Sequence, residues 1–181
     1  MITKLCKYAP RIEFVYKVIC EEFNQEPNQQ MLILSQNKSL LVDLKKKIDS
    51  NLTLSSGYYV GGMKRVDLEE SENKDVILAT YGMAAEGLDI VGLTTLLLAT
   101  PRTDIVQAVG RILRADHARP MILDIVDPHQ VFKTQSSKRK KYYKKNKYSI
   151  ALTDSLQYPN IIEGSSKKSR ESRCLIDINY E

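Results

Sequence analysis

The sequence contains few cysteines and histidines, and their positions exclude the sites that these residues commonly build. Cys6, Cys20 and Cys174 are odd in number and far apart, so they predict neither a disulfide framework nor a zinc site. They are typical of a protein from a reducing compartment, and we expect an intracellular location. His117 and His129 have no cysteine or carboxylate at metal-ligand spacing, so we expect loop or capping roles and no metal site.

The sequence also lacks a long apolar run. No stretch approaches the length of a membrane-spanning helix, and the N-terminus lacks the pattern of a signal peptide, so we expect no membrane partner. The 181 residues are 43% hydrophobic and 27% charged, which is ordinary for a globular protein. This length is sufficient for one domain with a core and an appendage.

Short apolar strands alternate with helical segments through the first part of the chain. Strands are predicted at residues 31–34, 58–60, 76–80, 95–99 and 121–126. Helices are predicted at residues 11–23, 37–48, 63–72 and 103–114. Because each strand is apolar through most of its length, we expect an α/β fold with a mostly parallel sheet and helices on both faces. Functional residues in such folds gather where strands end and helices begin.

Positive charge is concentrated in the segment from Lys138 to Lys147. The chain has a net charge of +5, and this segment carries seven lysines and arginines and no acid, so the rest of the chain has a net charge of −2. Such a distribution predicts a specific polyanion contact. The segment is predicted to lie on a helix over residues 131–148. Strands at 148–152 and 175–178 and a Ser/Lys-rich loop at 164–173 are predicted to follow it.

The basic segment has three interpretations. It is a solvated helix face, a localisation signal, or a nucleic-acid patch. Tyr142 and Tyr143 are interleaved with the lysines, and their rings are suited either to stacking on bases or to packing on the core. The residues of the predicted patch are Lys140, Lys141, Lys144 and Lys145.

The predicted helix over residues 103–114 has two contrasting faces. Polar residues and a glycine lie at i, i+3, i+4 and i+7, namely Gln107, Gly110, Arg111 and Arg114. Apolar residues form the opposite face, namely Ile105, Val106, Val109, Ile112 and Leu113. Thr103 and Asp104 supply a start signal. A glycine within a helix costs roughly 1 kcal/mol relative to alanine, and arginine suits phosphate, so this face fits an anion approaching the backbone. A surface helix with two solvated arginines is the alternative.

The segment from Ala79 to Ile90 begins where the third predicted strand ends. Gly82 and Gly87 punctuate it, and a turn of this kind directs backbone N–H groups outward, as in phosphate sites. Thr80 offers a hydroxyl donor, and Asp89 offers an acceptor suited to a sugar hydroxyl. An ordinary strand–turn–helix connection, with Asp89 as a cap, is the alternative.

These segments resemble the motifs of superfamily 2 helicases. Residues 107–114 resemble motif VI, Q-x-x-G-R-x-x-R, and residues 79–90 resemble motif V, A-T-x-x-x-x-x-G-x-D. Residues 32–36 resemble motif IV, and residues 59–62 resemble the strand-to-glycine element that follows it. With Ala115-Asp116-His117 after them, motifs V and VI are most similar to the DNA-dependent helicases of phages and large nucleocytoplasmic DNA viruses, including the phage UvsW type and the poxvirus transcript-release helicase.

The resemblance implies that residues 1–130 form a RecA-like three-layer domain and that residues 131–181 form a basic helix and C-terminal extension. Arg111 and Arg114 would be arginine fingers, with Gln107 positioning them or the attacking water. The residues implied on the ATP side are Gly87, Asp89, Glu86 and Gly110. The residues implied along the nucleic-acid backbone are Ser35, Gln36, Gly61, Gly62, Lys64 and Thr80.

The phosphate-binding and magnesium-binding motifs of this family are absent from the sequence. It contains no G-x-x-x-x-G-K-S/T and no D-E-x-H or D-E-A-D. We therefore expect a C-terminal fragment that is inactive alone, with ATP and Mg²⁺ bound mainly by an N-terminal RecA-like domain. The other expected partner is DNA, with RNA as an option, and the expected location is host cytoplasm or virion. A non-catalytic RecA-fold platform that binds nucleic acid or protein is the alternative.

Overall fold

The structure is a computed structural model that describes residues 1–51, 53–88, 90–112, 120–160, 163–164 and 176–177. Its helices are α1 Ile2–Leu5, α2 Ala9–Gln25, α3 Lys38–Asn51, α4 Arg65–Ser71, α5 Tyr81–Glu86, α6 Val106–Ile112 and α7 Gln130–Lys145. Its strands are β1 Met31–Ser35, β2 Ser56–Tyr59, β3 Val76–Thr80, β4 Thr95–Leu98, β5 Met121–Val126, β6 Ala151–Asp154, β7 Glu163–Gly164 and β8 Ile176–Asp177.

The strands form one sheet in the order β2-β3-β1-β4-β5-β8-β6-β7. Strands β2, β3, β1, β4 and β5 are parallel to their neighbours, and the β6–β7 pair is antiparallel. Ser35 lies opposite Thr80, so β1 and β3 end at the same edge of the sheet. The predicted parallel sheet is confirmed, and its register brings the ends of the motif IV and motif V strands together.

Alternate side chains of the central strands supply two separate apolar layers. Met31 and Ile33 of β1 pack with α2 and α3 on one face. Leu32 and Leu34 pack with α5, α6 and Tyr143 of α7 on the other face. The six-residue α5 is too short to be stable alone, so packing on the sheet holds it in place, and α6 packs on the same face.

The predicted elements agree with the structure in most places and differ at several boundaries. Helix α1 was not predicted, and β2 begins at Ser56 rather than Tyr58. Strand β6 covers residues 151–154 rather than 148–152, and Gly164, predicted to begin a loop, ends β7. The predicted loop residues 165–173 lie outside the described residues. Within the described ranges, no helix combines the length and apolar character needed to cross a membrane.

The predicted basic helix is confirmed as α7, and its tyrosines face the protein. Tyr143 is fully buried, and Tyr142 packs against the same apolar layer. The two rings contact each other and Tyr148 with centroid separations of 6.0–6.3 Å. The alternative in which these rings pack on the core therefore describes this structure.

Candidate functional site

The turn after β1 holds two of the residues predicted to contact nucleic acid. Ser35 is fully buried, and its Oγ donates to the Asn37 carbonyl at 2.9 Å and accepts from the Asn37 N–H at 3.0 Å. The Ser35 hydroxyl therefore closes the turn in this structure, and the nucleic-acid contact predicted for this residue stays a prediction. Gln36 is at the surface, and its backbone N–H donates to Thr100 Oγ1 at 2.9 Å.

The glycine turn after β2 is open to solvent. Gly61 and Gly62 are exposed, and Gly62 has a φ of +92°, a conformation that favours glycine. A Cβ placed on Gly62 would meet no atom within 4 Å, so a ligand can approach the backbone closely. Lys64 is exposed at the start of α4. Lys38 Nζ donates to the Gly61 carbonyl at 3.1 Å and adds a positive charge that the sequence analysis missed.

The segment after β3 forms the short helix α5. Thr80 is half-buried at the N-cap position, and its hydroxyl does not cap the helix. A Cβ on Gly82 would meet no atom within 4 Å. Glu86 and Gly87 are exposed at the other end of α5. Asp89, predicted to lie near the ribose, is outside the described residues.

Helix α6 presents part of the predicted polar face to solvent. Gln107 and Gly110 are exposed, whereas Ile105 and Val109 are buried. Asp104 Oδ1 accepts the Val106 N–H at 3.2 Å, which agrees with the predicted start signal. A Cβ on Gly110 would meet no atom of the described residues within 4 Å, so packing against that part of the chain does not require a glycine there.

One apolar prediction on this helix is wrong, and others cannot be compared with the structure. Val106 is 52% exposed because the buried stripe of α6 is narrow and continues through Ala108 instead. The Arg111 and Ile112 backbones belong to α6, but their side chains lie outside the described residues. Arg114 and Leu113 lie outside the described residues altogether.

The loop of residues 99–102, between β4 and α6, is held at every backbone carbonyl, and we call it the carbonyl loop. Each carbonyl accepts a hydrogen bond from a side chain of a different segment. The donors are Arg11 to Ala99 at 2.7 Å, Tyr81 to Thr100 at 2.7 Å, Gln36 to Pro101 at 2.8 Å, and Arg139 to Arg102 at 2.5 Å. The side chain of Gln36 is therefore engaged within the protein in this structure.

Electrostatics around the carbonyl loop favour neutral Tyr81 and charged Arg139. Burial raises the pKa of the Tyr81 hydroxyl, so it remains a protonated donor. The Arg102 guanidinium lies 4.9 Å from the centroid of the Tyr81 ring. Desolvation opposes the charge of Arg139, but the Asp124 carboxylate outweighs it and raises the pKa of the guanidinium. Desolvation also raises the pKa of the Asp124 carboxyl, against the opposing effects of Arg139 and Tyr143.

A small cavity of about 30 Å³ lies between the adjacent helices α5 and α6. Its lining residues are Tyr81, Ala85, Arg102, Asp104, Gln107 and Ala108. This volume is enough for a water molecule and far too small for a nucleotide. The motif V helix and the motif VI helix are therefore direct neighbours.

The outer face of α7 is strongly basic. Lys141, Lys144 and Lys145 are exposed, and Lys140 is half-buried. The ion pairs found within the described ranges involve none of these four lysines. Arg139, which lies in the same basic run, is only 2% exposed and belongs to the protein interior.

Comparison with known proteins gives a family match and several viral relatives. Residues 12–116 match the model of the helicase conserved C-terminal domain. A protein of Acanthamoeba polyphaga mimivirus, named as an ATP-dependent RNA helicase, is 41% identical over 156 residues, which are 83% of this chain and 30% of that protein. An African swine fever virus protein of the same description is 32% identical over 94 residues, which are 50% of this chain and 18% of that protein.

The fold comparison agrees with these matches. The crystal structure of T4 UvsW aligns with a TM-score of 0.62 and 15% identity, covering 98% of this chain and 36% of that chain. The chain spans less than a third of the length of the two viral relatives. The family match covers more than half of the chain and contains the motif IV, V and VI segments. The chain therefore belongs to the helicase conserved C-terminal domain family, as a RecA-like domain of the superfamily 2 type.

Proposed function

We propose that this chain is the C-terminal lobe of an ATP-dependent helicase or translocase, and that ATP binds in a cleft between it and an N-terminal RecA-like lobe. One observation supports this most directly. Ala85, two residues before Gly87, lines the same small cavity as Gln107, so the motif V turn and the exposed face of α6 are adjacent. A nucleotide held by a second lobe can therefore contact the motif V turn and the exposed face of α6 at the same time.

In this proposal the polar face of α6 completes the ATP site. Arg111 and Arg114 act as arginine fingers that neutralise charge on the transferred phosphoryl group. Gln107 positions them or the attacking water. Gly110 leaves the helix backbone open, so the phosphates can come close. Gly87, Glu86 and Asp89 line the sugar side of the nucleotide.

Mg²⁺ is assigned to the N-terminal lobe. This assignment rests on the resemblance to the helicase family, in which the magnesium carboxylate belongs to the first RecA-like domain. Magnesium that bridges ATP phosphates is commonly held by one or two carboxylates and the phosphates themselves. The contribution of this chain to hydrolysis is therefore charge, position and exclusion of water.

The nucleic-acid track is proposed to run along the edge of the sheet where β1, β2 and β3 end. Gly61, Gly62, Lys64 and Thr80 lie there, with Lys38 beside them. Backbone N–H groups and lysines at such an edge contact phosphate and sugar and carry little sequence preference. Gln36 lies at the same edge, where its side chain holds the Pro101 carbonyl and its backbone N–H donates to Thr100 Oγ1, so a contact with nucleic acid would require one of these bonds to open.

We propose DNA as the substrate, on the resemblance of motifs V and VI to DNA-dependent viral helicases. The two viral relatives are named as RNA helicases, so the choice between DNA and RNA requires a direct assay. Hydrolysis by the complete helicase should be stimulated more by DNA than by RNA of the same sequence. Stronger stimulation by RNA would overturn the choice of DNA and leave the assignment of the lobe unchanged.

The two-lobe proposal predicts that the isolated chain has negligible ATPase activity and regains it with its partner. The chain is mixed with the N-terminal lobe of the same helicase, and phosphate release is measured with and without DNA. Activity should appear only in the mixture and should rise with DNA. Robust turnover by the chain alone, abolished by Arg114→Ala, would contradict the proposal. No rescue at any concentration would favour a non-catalytic platform.

The basic face of α7 is proposed to contact the nucleic-acid backbone. Changing Lys140, Lys141, Lys144 and Lys145 to glutamate should greatly weaken DNA binding by this chain. The weakening should be similar for unrelated sequences, because phosphate contacts carry no sequence information. The slope of log affinity against log salt should fall by about 0.9 for each phosphate that the variant no longer neutralises. Fluorescence anisotropy with labelled DNA at several salt concentrations measures both effects.

A charge-matched control separates a local contact from net charge. Three exposed lysines on α1, on α3 and in the turn between α1 and α2 are available for it, namely Lys4, Lys7 and Lys46. Changing these to glutamate leaves α7 intact and matches the net charge of a variant in which Lys141, Lys144 and Lys145 become glutamate. The control should retain most of the binding. Equal weakening in the two variants would show that net charge, rather than the α7 face, determines affinity.

A further inference from the structure

The carbonyl loop is the direct support of α6. Arg102, its last residue, lies four positions before Val106, the first residue of the helix. The direction of the helix depends on the loop that leads into it and on the packing of Ile105 and Val109. Whatever fixes the Arg102 carbonyl also limits where the exposed face of α6 can point.

Arg139 of α7 holds that carbonyl from a buried anchor. Its Nε and Nη2 donate to the two carboxylate oxygens of Asp124 at 2.8 and 2.7 Å, and its Nη1 donates to the Arg102 carbonyl at 2.5 Å. Tyr143 donates to the same carboxylate at 3.1 Å. Arg139 and Asp124 are 2% and 0% exposed. Because the guanidinium is rigid and planar, the two-point bond to Asp124 fixes the direction of the remaining N–H.

A series of contacts connects Arg102 with the exposed face of α6. The Arg102 guanidinium lies over the Tyr81 ring, and Tyr81 donates to Thr100 in the same loop. Arg102 and Gln107 line one cavity. A shift of the Arg102 backbone would therefore be transmitted to the first turn of α6. Misplacement of about 1 Å in a catalytic arrangement can lower a rate by about 100-fold.

We infer that Arg139 is a positioning residue for ATP hydrolysis, because it orients helix α6, which carries the proposed Arg111 finger, by holding the Arg102 carbonyl. This inference rests on the proposed function of α6. Arg139 and Asp124 both lie outside residues 12–116, which match the family model. The arginine and the carboxylate that anchors it therefore come from the part of the chain that follows the helicase motifs.

The test uses Arg139→Lys in the complete two-lobe helicase. A lysine can keep an ion pair with Asp124, but one ammonium cannot hold both carboxylate oxygens and the Arg102 carbonyl in a fixed plane. The kcat for ATP should fall at least ten-fold, with KM changed less than three-fold. Backbone amides of residues 103–112 should exchange hydrogen faster, while those of β1 and β3 remain protected. Arg139→Met should lower kcat further.

A second variant distinguishes position from stability. Tyr158→Phe removes a buried hydrogen bond to Glu22 on the opposite face of the sheet, far from the carbonyl loop. At matched thermal midpoints, Tyr158→Phe should retain kcat and Arg139→Lys should not. An equal fall in both, or an unchanged kcat in Arg139→Lys while Arg114→Ala is inactive, would overturn the positioning role. Normal activity of Arg114→Ala would instead refute the arginine-finger role, and the inference about Arg139 would then lose its basis.

Discussion

Replacing Arg114 with alanine in the complete helicase is expected to lower kcat for ATP hydrolysis by about 1,000-fold. In the proposed site its guanidinium meets the γ-phosphate when the two lobes close. The charge on the phosphoryl oxygens is redistributed in the transition state, so removal of this guanidinium should affect kcat far more than KM. Steady-state phosphate release at saturating DNA measures both constants.

Companion variants define what the fall in kcat means. Arg111→Ala should be strongly impaired as well, and Gln107→Ala should be impaired less because it acts through positioning. Lys46→Ala removes an exposed positive charge from α3, on the other side of the sheet, and should keep normal turnover. DNA binding without ATP should be unchanged in all of these variants. If Arg114→Ala retained more than a tenth of the normal kcat, this residue would not be an arginine finger.

Replacing Arg11 with methionine is expected to destabilise the domain by about 3–5 kcal/mol. Arg11 and Asp127 are fully buried, and their atoms approach to 2.7 and 3.0 Å. Removing the arginine leaves a carboxylate without its cation in the interior, and it also releases the Ala99 carbonyl. For a domain of this size the thermal midpoint should fall by roughly 10 °C. Chemical denaturation of the isolated chain gives the free energy of unfolding.

Two further variants test whether burial, rather than distance, determines the destabilisation. Asp127→Asn added to Arg11→Met removes the uncompensated charge, so the double variant should regain part of the stability. Lys47→Met breaks an ion pair to Glu13 that is even shorter, at 2.5 Å, but the lysine is 31% and the glutamate 60% exposed. That change should cost about 1 kcal/mol or less. A cost for Lys47→Met equal to that for Arg11→Met would contradict the argument.

The sequence predicted the sheet and the exposed face of α6 because both depend on local patterns. Runs such as Val76–Thr80 are apolar and end in small or polar residues, which is typical of a buried parallel strand. Polar residues with glycine at i and i+3 predicted that Gln107 and Gly110 share an exposed face, which the structure confirms. The roles assigned to the motif residues stay predictions, since they require a second lobe and a nucleotide.

Within the described part of the chain, the buried ion pairs Arg11–Asp127 and Arg139–Asp124 were not predicted because each joins residues of two separate elements. Arg139 stands in a run of lysines, and the composition of that run is typical of a solvated helix face. Its helical phase was informative, because it shares a face with Phe132 and Tyr143. Asp124 was also informative, as an acid inside an otherwise apolar strand requires a partner when it is buried. The closing of the turn by the Ser35 hydroxyl was not predicted, because a turn hydroxyl and a surface hydroxyl have the same sequence signature.

The C-terminal turn determines how this protein can be shortened. Tyr158 packs edge-on against Phe14 of α2 and bonds to Glu22, and Lys17 donates to the Tyr158 carbonyl at 3.2 Å. A fragment trimmed to residues 12–116 would keep every recognisable motif, yet it would discard β5, α7 and this turn and expose much of both apolar layers. A shortened form should therefore retain β8 as well as residues 1–160, because β8 lies between β5 and β6 in the sheet. The smallest foldable unit is larger than the smallest recognisable one.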